Sequence, residues 1–226
     1  MLFDIDGTLA DPGTSIVSSV VYALEQMGAA VPPVDRLRGF VGPPLVDTFT
    51  ALGLPADRIE RAIGLYRAHF NAEGIRLYRP YPGMPELVDA LRAGCITVGI
   101  ATSKPTEIAE RVLEAMGWLA SFDVLAGATM DSSRRAKADI IAVALDDLRA
   151  GGHSPDVVVM VGDRRHDIEG AHAHRLPAVG VSWGYGGRDK LLTAGADRIV
   201  HDSNGLACAL SDLAAGASSP TPRRPR

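Results

Sequence analysis

Short, almost uninterrupted apolar runs that end in polar residues are the feature that most limits how this chain can fold. The strongest run covers residues 157–161, and residues 96–101 and 178–181 have the same character. Runs of this length are typical of strands that are buried on both faces of a sheet. Between the runs, apolar residues recur at helical spacing over residues 108–116 and 140–148. Strands that alternate with helices predict an α/β fold with a Rossmann-like parallel sheet covered on both sides.

A long helical stretch interrupts this alternation soon after the first short apolar run. Ile16, Val20 and Leu24 share one helical face, and residues 57–70 form a second long helical pattern. The turn sequence Tyr81-Pro82-Gly83 then marks the return to the α/β pattern. The predicted division is residues 1–14 and 80–216 for the core, 15–79 for an inserted helical domain, and 217–226 for a disordered tail rich in Ser, Pro and Arg.

Composition and charge exclude several classes of protein. Of the 226 residues, 46% are hydrophobic and 22% are charged, which is typical of an ordinary globular chain. Two cysteines, Cys95 and Cys208, cannot form a disulfide framework, and we expect both to be buried structural thiols. The net charge of −4 argues against a nucleic acid polymer as partner. No apolar run reaches the ~20 residues of a membrane span, and no basic segment opens a signal peptide. We therefore expect a cytoplasmic protein without a membrane partner.

Two pairs of carboxylates follow predicted strands. Asp4 and Asp6 come directly after the first apolar run, and Asp163 and Asp167 come after the strongest one. Open α/β sheets bind ligands at the carboxyl ends of their strands, so the two pairs are expected to share one edge. Carboxylate oxygens are ligands that suit Mg²⁺. An acidic turn for the first pair, and helix capping by Asp163 for the second, are the alternatives.

The first apolar run is unusually short. Only three residues precede Asp4, whereas a typical strand has about five or six. This difference favours a start codon upstream of Met1.

Two further polar segments also lie between a predicted strand and a helix. Thr102 and Ser103 precede a predicted helix, whose free N–H groups suit a phosphate, although plain helix capping is the alternative. Lys137 opens another helix together with Arg134 and Arg135, where cations oppose the helix dipole. Such a local conflict is typical of a functional site, and a solvated charged turn is the alternative. Together the four segments offer carboxylates for a metal and a nucleophile, a hydroxyl for phosphate, and a cation for its charge.

In this order the four segments resemble the motifs of the haloacid dehalogenase superfamily, the aspartate-dependent phosphohydrolases. The resemblance covers about residues 1–213 and implies a core of that family's α/β type with a small α-helical cap. Residues 40–45, 101–105 and 183–186 are similar to the subgroup with phosphoglycolate-phosphatase-like and 5′-nucleotidase-like members. A mycobacterial relative described as a protein tyrosine kinase is also similar.

The resemblance implies a role for each motif residue. Asp4 would be the nucleophile that forms an aspartyl-phosphate, and Asp6 the general acid and then the general base. Lys137 would neutralise the charge of the phosphate, although Ala138 stands where the family often has proline, and Lys104 is a competing cation nearby. The remaining roles are phosphate binding by Thr102, with Ser103 beside it, and Mg²⁺ binding by the Asp4 carboxylate, the Asp6 backbone carbonyl and Asp163, with Asp167 orienting metal-bound water.

The inserted helices carry the expected substrate-selecting segment. Its candidate residues are Phe40, Gly42, Pro43 and Leu45, where prolines fix the backbone and glycine allows close approach; a structural helix break is the alternative. The glycine-rich residues 184–187 lack the spacing of a dinucleotide fingerprint, and a place at the mouth of the site is one interpretation that stays open.

The expected function is a Mg²⁺-dependent phosphatase of a small phosphorylated metabolite, either a 5′-nucleotide or a phosphoglycolate-type ester. The alternative is a phosphotransferase that uses the same aspartate, as a phosphomutase or a protein tyrosine kinase-like enzyme. The chain lacks both the phosphate-binding loop of nucleotide hydrolases and the protein kinase signature set. Any kinase activity would therefore have to use the aspartate site.

Overall fold

The computed structural model describes residues 1–41, 45–131, 133–153 and 158–217. In these residues the chain forms a six-stranded parallel sheet with helices packed on both faces, and a separate pair of antiparallel strands. The strands are β1 (Leu2–Phe3), β2 (Ala10–Asp11), β3 (Arg79–Pro80), β4 (Gly99–Pro105), β5 (Val124–Ala128), β6 (Met160–Gly162), β7 (Ala178–Val181) and β8 (Arg198–Val200).

The helices alternate with the strands of the sheet, as the sequence predicts. In chain order they are α1 (Gly13–Gln26), α2 (Val34–Arg38), α3 (Leu45–Ala51), α4 (Ala56–Ala72), α5 (Met84–Ala93), α6 (Thr106–Ala115), α7 (Lys137–Ala150), α8 (Arg165–Ala173), α9 (Arg188–Thr193) and α10 (Ser203–Ala217), with short 3₁₀ helices at Gly74–Leu77 and Leu119–Ser121.

The sheet order places the shortest strand at its centre. The order is β5-β4-β1-β6-β7-β8, and every neighbouring pair is parallel. Strand β1 therefore lies between β4 and β6, and the predicted motifs follow all three of these strands. The predicted fold class, an α/β fold with a Rossmann-like parallel sheet, is confirmed.

The two residues of β1 point into the two halves of the core. Leu2 packs with Ile140 and Ile168 on the face covered by α7 and α8. Phe3 belongs to the apolar cluster on the other face, which continues to Leu24 of α1 and Phe70 of α4. Two residues suffice for this strand because each is fully buried on its own face, where an apolar side chain contributes about 1.5–3 kcal/mol.

Among the described residues, four α-helices and one 3₁₀ helix lie between β2 and β3, in the interval where the sequence shows helical patterns only. Helices α1 and α4 pack against each other, and α4 covers the predicted helix of residues 57–70. Strands β2 and β3 pair antiparallel, with Ala10 opposite Pro80 and Asp11 opposite Arg79. The chain therefore enters and leaves these helices, called the helical insert below, through two adjacent strands.

Some boundaries and burials differ from the sequence predictions. Strand β4 begins at Gly99 rather than at Ile96, because the Val98 N–H donates to the Asp123 carboxylate (2.8 Å) and not to a neighbouring strand. The prediction that both cysteines are buried is wrong. Cys95 is exposed in the turn after α5, where its φ is 57°. Cys208 is exposed on α10, because a spacing of two residues from Leu206 and from Leu210 places it off their buried face.

Among the described residues, no helix combines the length and the apolar character that a membrane crossing requires. The predicted disordered tail lies outside the described residues from position 218 onward, and Ala217 is the last residue of α10.

Candidate active site

Asp4 lies at the carboxyl end of the central strand. Its N–H donates to the Val161 carbonyl of β6 (3.0 Å), which fixes the backbone beside β1, and the residue is only 5% exposed. Gly7 then turns the chain with a φ of +80°, a conformation that favours glycine. A Cβ atom on Gly7 would collide with the Asp163 carboxylate, so the turn after Asp4 packs directly against the second acidic motif.

Lys137 contacts two buried carboxylates, those of Asp4 and Asp167. Its Nζ is 2.6 Å from Asp167 Oδ1 and 3.3 Å from Asp4 Oδ1, and it donates to the Ala101 carbonyl at 2.9 Å. Burial alone lowers the pKa of Lys137, but the charges of Asp167 and Asp4 outweigh burial and raise this pKa above its usual value. The unfavourable position of a cation at the start of α7 is thus offset by two charge-assisted contacts.

Asp163 is held through one carboxylate oxygen only. Its Oδ2 accepts hydrogen bonds from the backbone N–H groups of Tyr185 (2.7 Å) and Gly186 (3.1 Å). Its Oδ1 is buried and has no hydrogen-bond partner among the described residues, and the nearest cation is Arg164 Nε at 4.0 Å. Burial, then the charges of Asp167 and Asp4, raise the pKa of Asp163 to about 7.

The carboxylates of Asp4, Asp163 and Asp167 fit a divalent cation. Ligand oxygens of the three lie within 4.8 Å of one another, and all three residues are buried. A buried, unpartnered carboxylate oxygen carries a large desolvation penalty, which a cation at the centre of the cluster would offset. Several carboxylates with room for water and phosphate are the ligand set that suits Mg²⁺. Both oxygens of Asp167 are engaged, one by Lys137 and the other by the Arg164 N–H (2.9 Å). This fits a residue that lies outside the direct metal ligands and orients them.

The end of β4 brings the predicted phosphate-binding residues to the same edge. Thr102 is buried, 1% exposed, and follows the carbonyl that Lys137 contacts. Ser103 is exposed, because successive residues of a strand point to opposite faces. A register shift between Thr102 and Pro105 in the pairing of β4 with β5 bends the strand end at Lys104.

Asp6 pairs with Lys104 rather than joining the three-carboxylate cluster. Lys104 Nζ lies 2.8 Å from Asp6 Oδ2, and also over the rings of Phe70 (5.6 Å) and Tyr78 (5.4 Å). These rings belong to α4 and to the segment that leads into β3. Sequence reasoning treated Lys104 only as a competitor of Lys137, whereas it links Asp6 to the helical insert.

The loop of residues 183–187, called the glycine-rich loop below, encloses Asp163. A Cβ on Gly184 or on Gly186 would collide with Asp163, so only glycine allows this approach. The sequence leaves open whether this segment borders the site, and it does not indicate that the backbone holds a carboxylate. The signal that could have shown this is the close spacing of glycines directly after an apolar strand.

The predicted substrate-selecting segment is described in part. Phe40 and Leu45 are half-buried and pack against the main apolar cluster. Gly42 and Pro43 lie outside the described residues. Beside them, the Val41 carbonyl accepts a hydrogen bond from Arg164 Nη2 (3.3 Å), which connects this segment to the residue after Asp163.

Comparisons with known proteins agree with this arrangement. The sequence profile of the family described as haloacid dehalogenase-like hydrolase matches residues 1–181. A Mycobacterium tuberculosis protein described as tyrosine-protein kinase PtkA is 41% identical over 201 residues, which cover 89% of this chain and 68% of that protein. A Pseudomonas aeruginosa 5′-nucleotidase is 35% identical over 192 residues, which cover 84% of this chain and 86% of that enzyme.

A solved structure shows the same fold. The crystal structure of a predicted phosphatase from Clostridium acetobutylicum aligns with a TM-score of 0.79 and 33% sequence identity. The alignment covers 93% of this chain and 97% of that one. The similarity therefore includes both the sheet and the helical insert.

Proposed function

The chain belongs to the haloacid dehalogenase-like hydrolase family, and from this membership we propose that it is a Mg²⁺-dependent phosphatase of a small phosphomonoester. The observation that carries the proposal is the buried cluster in which Lys137 faces Asp4 and Asp167. The three carboxylates of the cluster outnumber the two cations beside them, Lys137 and Arg164, and the binding of a metal would neutralise the remaining negative charge. Phosphoryl transfer depends on such positioning and charge stabilisation more than on covalent chemistry by the protein.

Asp4 is the proposed nucleophile. Its carboxylate oxygen attacks phosphorus, the bond between phosphorus and the ester oxygen breaks, and an aspartyl-phosphate forms. Asp6 gives its proton to the departing ester oxygen. Water then attacks the phosphorus, gives a proton to Asp6 and releases inorganic phosphate, which restores the Asp4 carboxylate.

The other residues bind and orient. Lys137 neutralises charge on the transferred phosphoryl group while it fixes the Asp4 carboxylate, and the Thr102 hydroxyl, with Ser103 beside it, donates to a phosphate oxygen. Asp4, the Asp6 carbonyl and Asp163 would hold Mg²⁺, and Asp167 would orient its shell. When bound, the ion supplies positive charge for the phosphate oxygens and lowers repulsion between phosphate and Asp4.

The helical insert favours a small substrate. We propose that residues 15–79 form a cap that covers the site and excludes water during transfer. Phe40, Gly42, Pro43 and Leu45 are the proposed substrate-selecting residues, because Val41 beside them contacts Arg164 next to Asp163. The two candidate substrate classes are 5′-nucleotides, as for the Pseudomonas aeruginosa relative, and phosphoglycolate, which gives its name to an Agrobacterium fabrum relative 32% identical over 192 residues.

A phosphotransferase that uses the same aspartate is the second candidate. It is favoured by the similarity to the mycobacterial protein described as a tyrosine-protein kinase. A phosphomutase would use the same aspartyl-phosphate and pass it to a second hydroxyl group instead of water. In either case Asp4 remains the residue that carries the phosphoryl group.

The test is phosphate release from a panel of 5′-nucleotides, phosphoglycolate, sugar phosphates and phosphotyrosine. The panel is run with Mg²⁺, with EDTA, and with the Asp4→Asn variant. We expect release that needs both Mg²⁺ and Asp4, with kcat/KM highest for one small ester. Release that survives in Asp4→Asn would contradict the proposed nucleophile. If no ester releases phosphate, transfer of labelled phosphate from ATP to a tyrosine tests the kinase form of the second candidate. Interconversion of two positional isomers of a sugar phosphate tests the mutase form.

A further inference from the structure

The glycine-rich loop contacts the proposed metal site and the helical insert at the same time. At one end its backbone N–H groups, those of Tyr185 and Gly186, donate to Oδ2 of Asp163. A Cβ on Gly186 would collide with the Asp163 carbonyl, so the backbone lies directly on the acidic motif. The position of the loop therefore determines which Asp163 oxygen is engaged and which stays free.

The Tyr185 side chain extends from this loop to the strand that leads into the helical insert. Its hydroxyl donates a hydrogen bond to Oδ1 of Asp11 in β2. The same oxygen accepts the N–H of Gly13 (2.8 Å), the first residue of α1. Burial, then the Asp11 carboxylate, raises the pKa of Tyr185 above its usual value, so the hydroxyl remains a donor at neutral pH.

A second contact holds the loop against the same boundary. Trp183 Nε1 donates to the Thr8 carbonyl (3.1 Å), and the Trp183 ring packs on Tyr81, whose centroid is 6.2 Å away. Thr8 precedes β2 and Tyr81 follows β3. The loop thus contacts the chain where it enters the helical insert and where it leaves it.

We propose that Tyr185 is a positioning residue that couples the entry strand of the helical insert to the proposed metal site. The bond from its hydroxyl to Asp11 anchors the loop, and the anchored backbone holds Oδ2 of Asp163 while Oδ1 stays free for a cation. A displacement of β2 then changes the orientation of Asp163. This inference rests on the proposed function, because it requires that Asp163 binds Mg²⁺.

The test compares Mg²⁺ affinity in Tyr185→Phe, Asp11→Ala and the double variant, measured by calorimetric titration of MgCl₂ into metal-free protein. Tyr185→Phe keeps the ring and the backbone donors and loses only the anchor. We expect a Kd for Mg²⁺ roughly tenfold higher, the lower end of the effect of outer residues in metal sites. Each single variant already removes the bond between the Tyr185 hydroxyl and Asp11, and Asp11→Ala also removes the acceptor of the Gly13 N–H. The double variant is therefore expected to have the same Kd for Mg²⁺ as Asp11→Ala.

The control is Tyr22→Phe, since Tyr22 stacks on His69 inside the helical insert, at a ring centroid distance of 4.7 Å. Its Kd for Mg²⁺ is expected to equal that of the wild type. A wild-type Kd in Tyr185→Phe, or fully additive effects in the double variant, would overturn the proposed coupling. If Asp11→Ala does not fold, Tyr185→Phe alone decides. A wild-type protein that neither binds Mg²⁺ nor releases phosphate instead refutes the proposed function, and the coupling with it.

Discussion

The two edges of the parallel sheet use polar groups in opposite ways. At the amino edge, a surface cavity of about 210 Å³ is lined by exposed and half-buried residues, among them Thr97, Asp123 and His153, whose side chains have hydrogen-bond partners. Asp123 accepts the Val98 N–H (2.8 Å), and His153 Nδ1 lies 3.0 Å from Thr97 Oγ1. At the carboxyl edge, three buried carboxylates lie close together and Lys137 contacts two of them. One oxygen of the third, Asp163, has no hydrogen-bond partner among the described residues.

This contrast indicates that the carboxyl edge is the candidate functional edge of the sheet and that the amino edge has a structural role. Polar groups at the amino edge engage oppositely charged or neutral partners, so their contacts stabilise the fold. Like charges at the carboxyl edge are brought together by the strands at a free-energy cost, because burial and repulsion disfavour the ionised forms. Such conflicts are expected where a ligand completes the arrangement. Variants at the two edges should therefore differ in whether activity or stability responds.

The largest effect is expected for Lys137→Met, which removes the one cation that contacts both Asp4 and Asp167 in the described part of the chain. Breaking a buried ion pair on one side costs about 3–5 kcal/mol of folding free energy. The variant also lacks the charge that stabilises the transferred phosphoryl group, so kcat/KM should fall at least about a hundredfold. Thermal unfolding and phosphate release measure the two losses, and Lys190→Met, at an exposed position on α9, is the control. Wild-type activity in Lys137→Met would show that the carboxyl edge does not need this charge.

The next variant pair makes one chemical change at both edges. Asp163→Asn removes a like charge from the crowded edge and leaves an amide oxygen to accept the Tyr185 and Gly186 N–H groups. We expect the metal-free protein to become more stable by about 1–2 kcal/mol, while Mg²⁺-dependent activity falls at least about tenfold. Asp123→Asn weakens the charge-assisted hydrogen bond that the Val98 N–H donates to this carboxylate (2.8 Å), and it is expected to lower stability without changing kcat/KM. Denaturant unfolding without metal measures the free energy of unfolding of both variants. A change of the same sign in both would refute the proposed difference between the two edges.

A smaller effect is expected at the contact between the carboxyl edge and the helical insert. Lys104→Met removes the cation that lies between Asp6 and the Phe70 ring. Asp6 remains in place but loses its partner, so kcat/KM should fall roughly tenfold, less than the about 10²–10⁴ that a general acid supplies. Steady-state kinetics of Lys104→Met, Phe70→Leu and the double variant test whether the two act together. Strictly additive losses would mean that Lys104 acts on Asp6 without the insert.

The smallest effect on activity is expected at the amino edge. His153→Ala removes the contact with Thr97 and should lower stability by about 1 kcal/mol, a fall in Tm of roughly 2–4 °C. Phosphate release should stay within about twofold of the wild type. A large loss of activity with an unchanged Tm would mean that this edge also belongs to the functional machinery.

Local sequence patterns predict the fold class and the elements of the site because strands and helices have different apolar periods. Asp4, Thr102 and Asp163 each follow a strand, so their common edge follows from a parallel sheet. The common edge needs only short stretches of sequence and the rules of strand order. The choice of Lys137 over Arg134 and Arg135 needs the resemblance to the family motif, because all three lie at the same predicted helix start.

Contacts between distant positions could not be predicted in this way. Tyr185 and Asp11 are 174 residues apart, and nothing in either neighbourhood indicates the other. The pairing of Lys104 with Asp6 depends on the bend at the end of β4, which is a property of the strand pairing. The exposure of Cys95 depends on a positive φ after α5, which overrides the apolar character of the residues that follow.

The pairing of β2 with β3 has a consequence for engineering. The chain passes from the sheet domain into the helical insert through β2 and returns through β3. Because these strands pair, with Ala10 beside Pro80 and Asp11 beside Arg79, the two ends of the helical insert lie close together. Domain insertion succeeds at sites where the two ends of the inserted module lie close together. A chimera that exchanges the helices after Gly13 for another module, but retains Asp11 and Gly13, keeps the contacts of the Tyr185 hydroxyl. In this chain the β2–β3 pair is therefore a site at which the helical insert can be replaced by another module while the α/β core is unchanged.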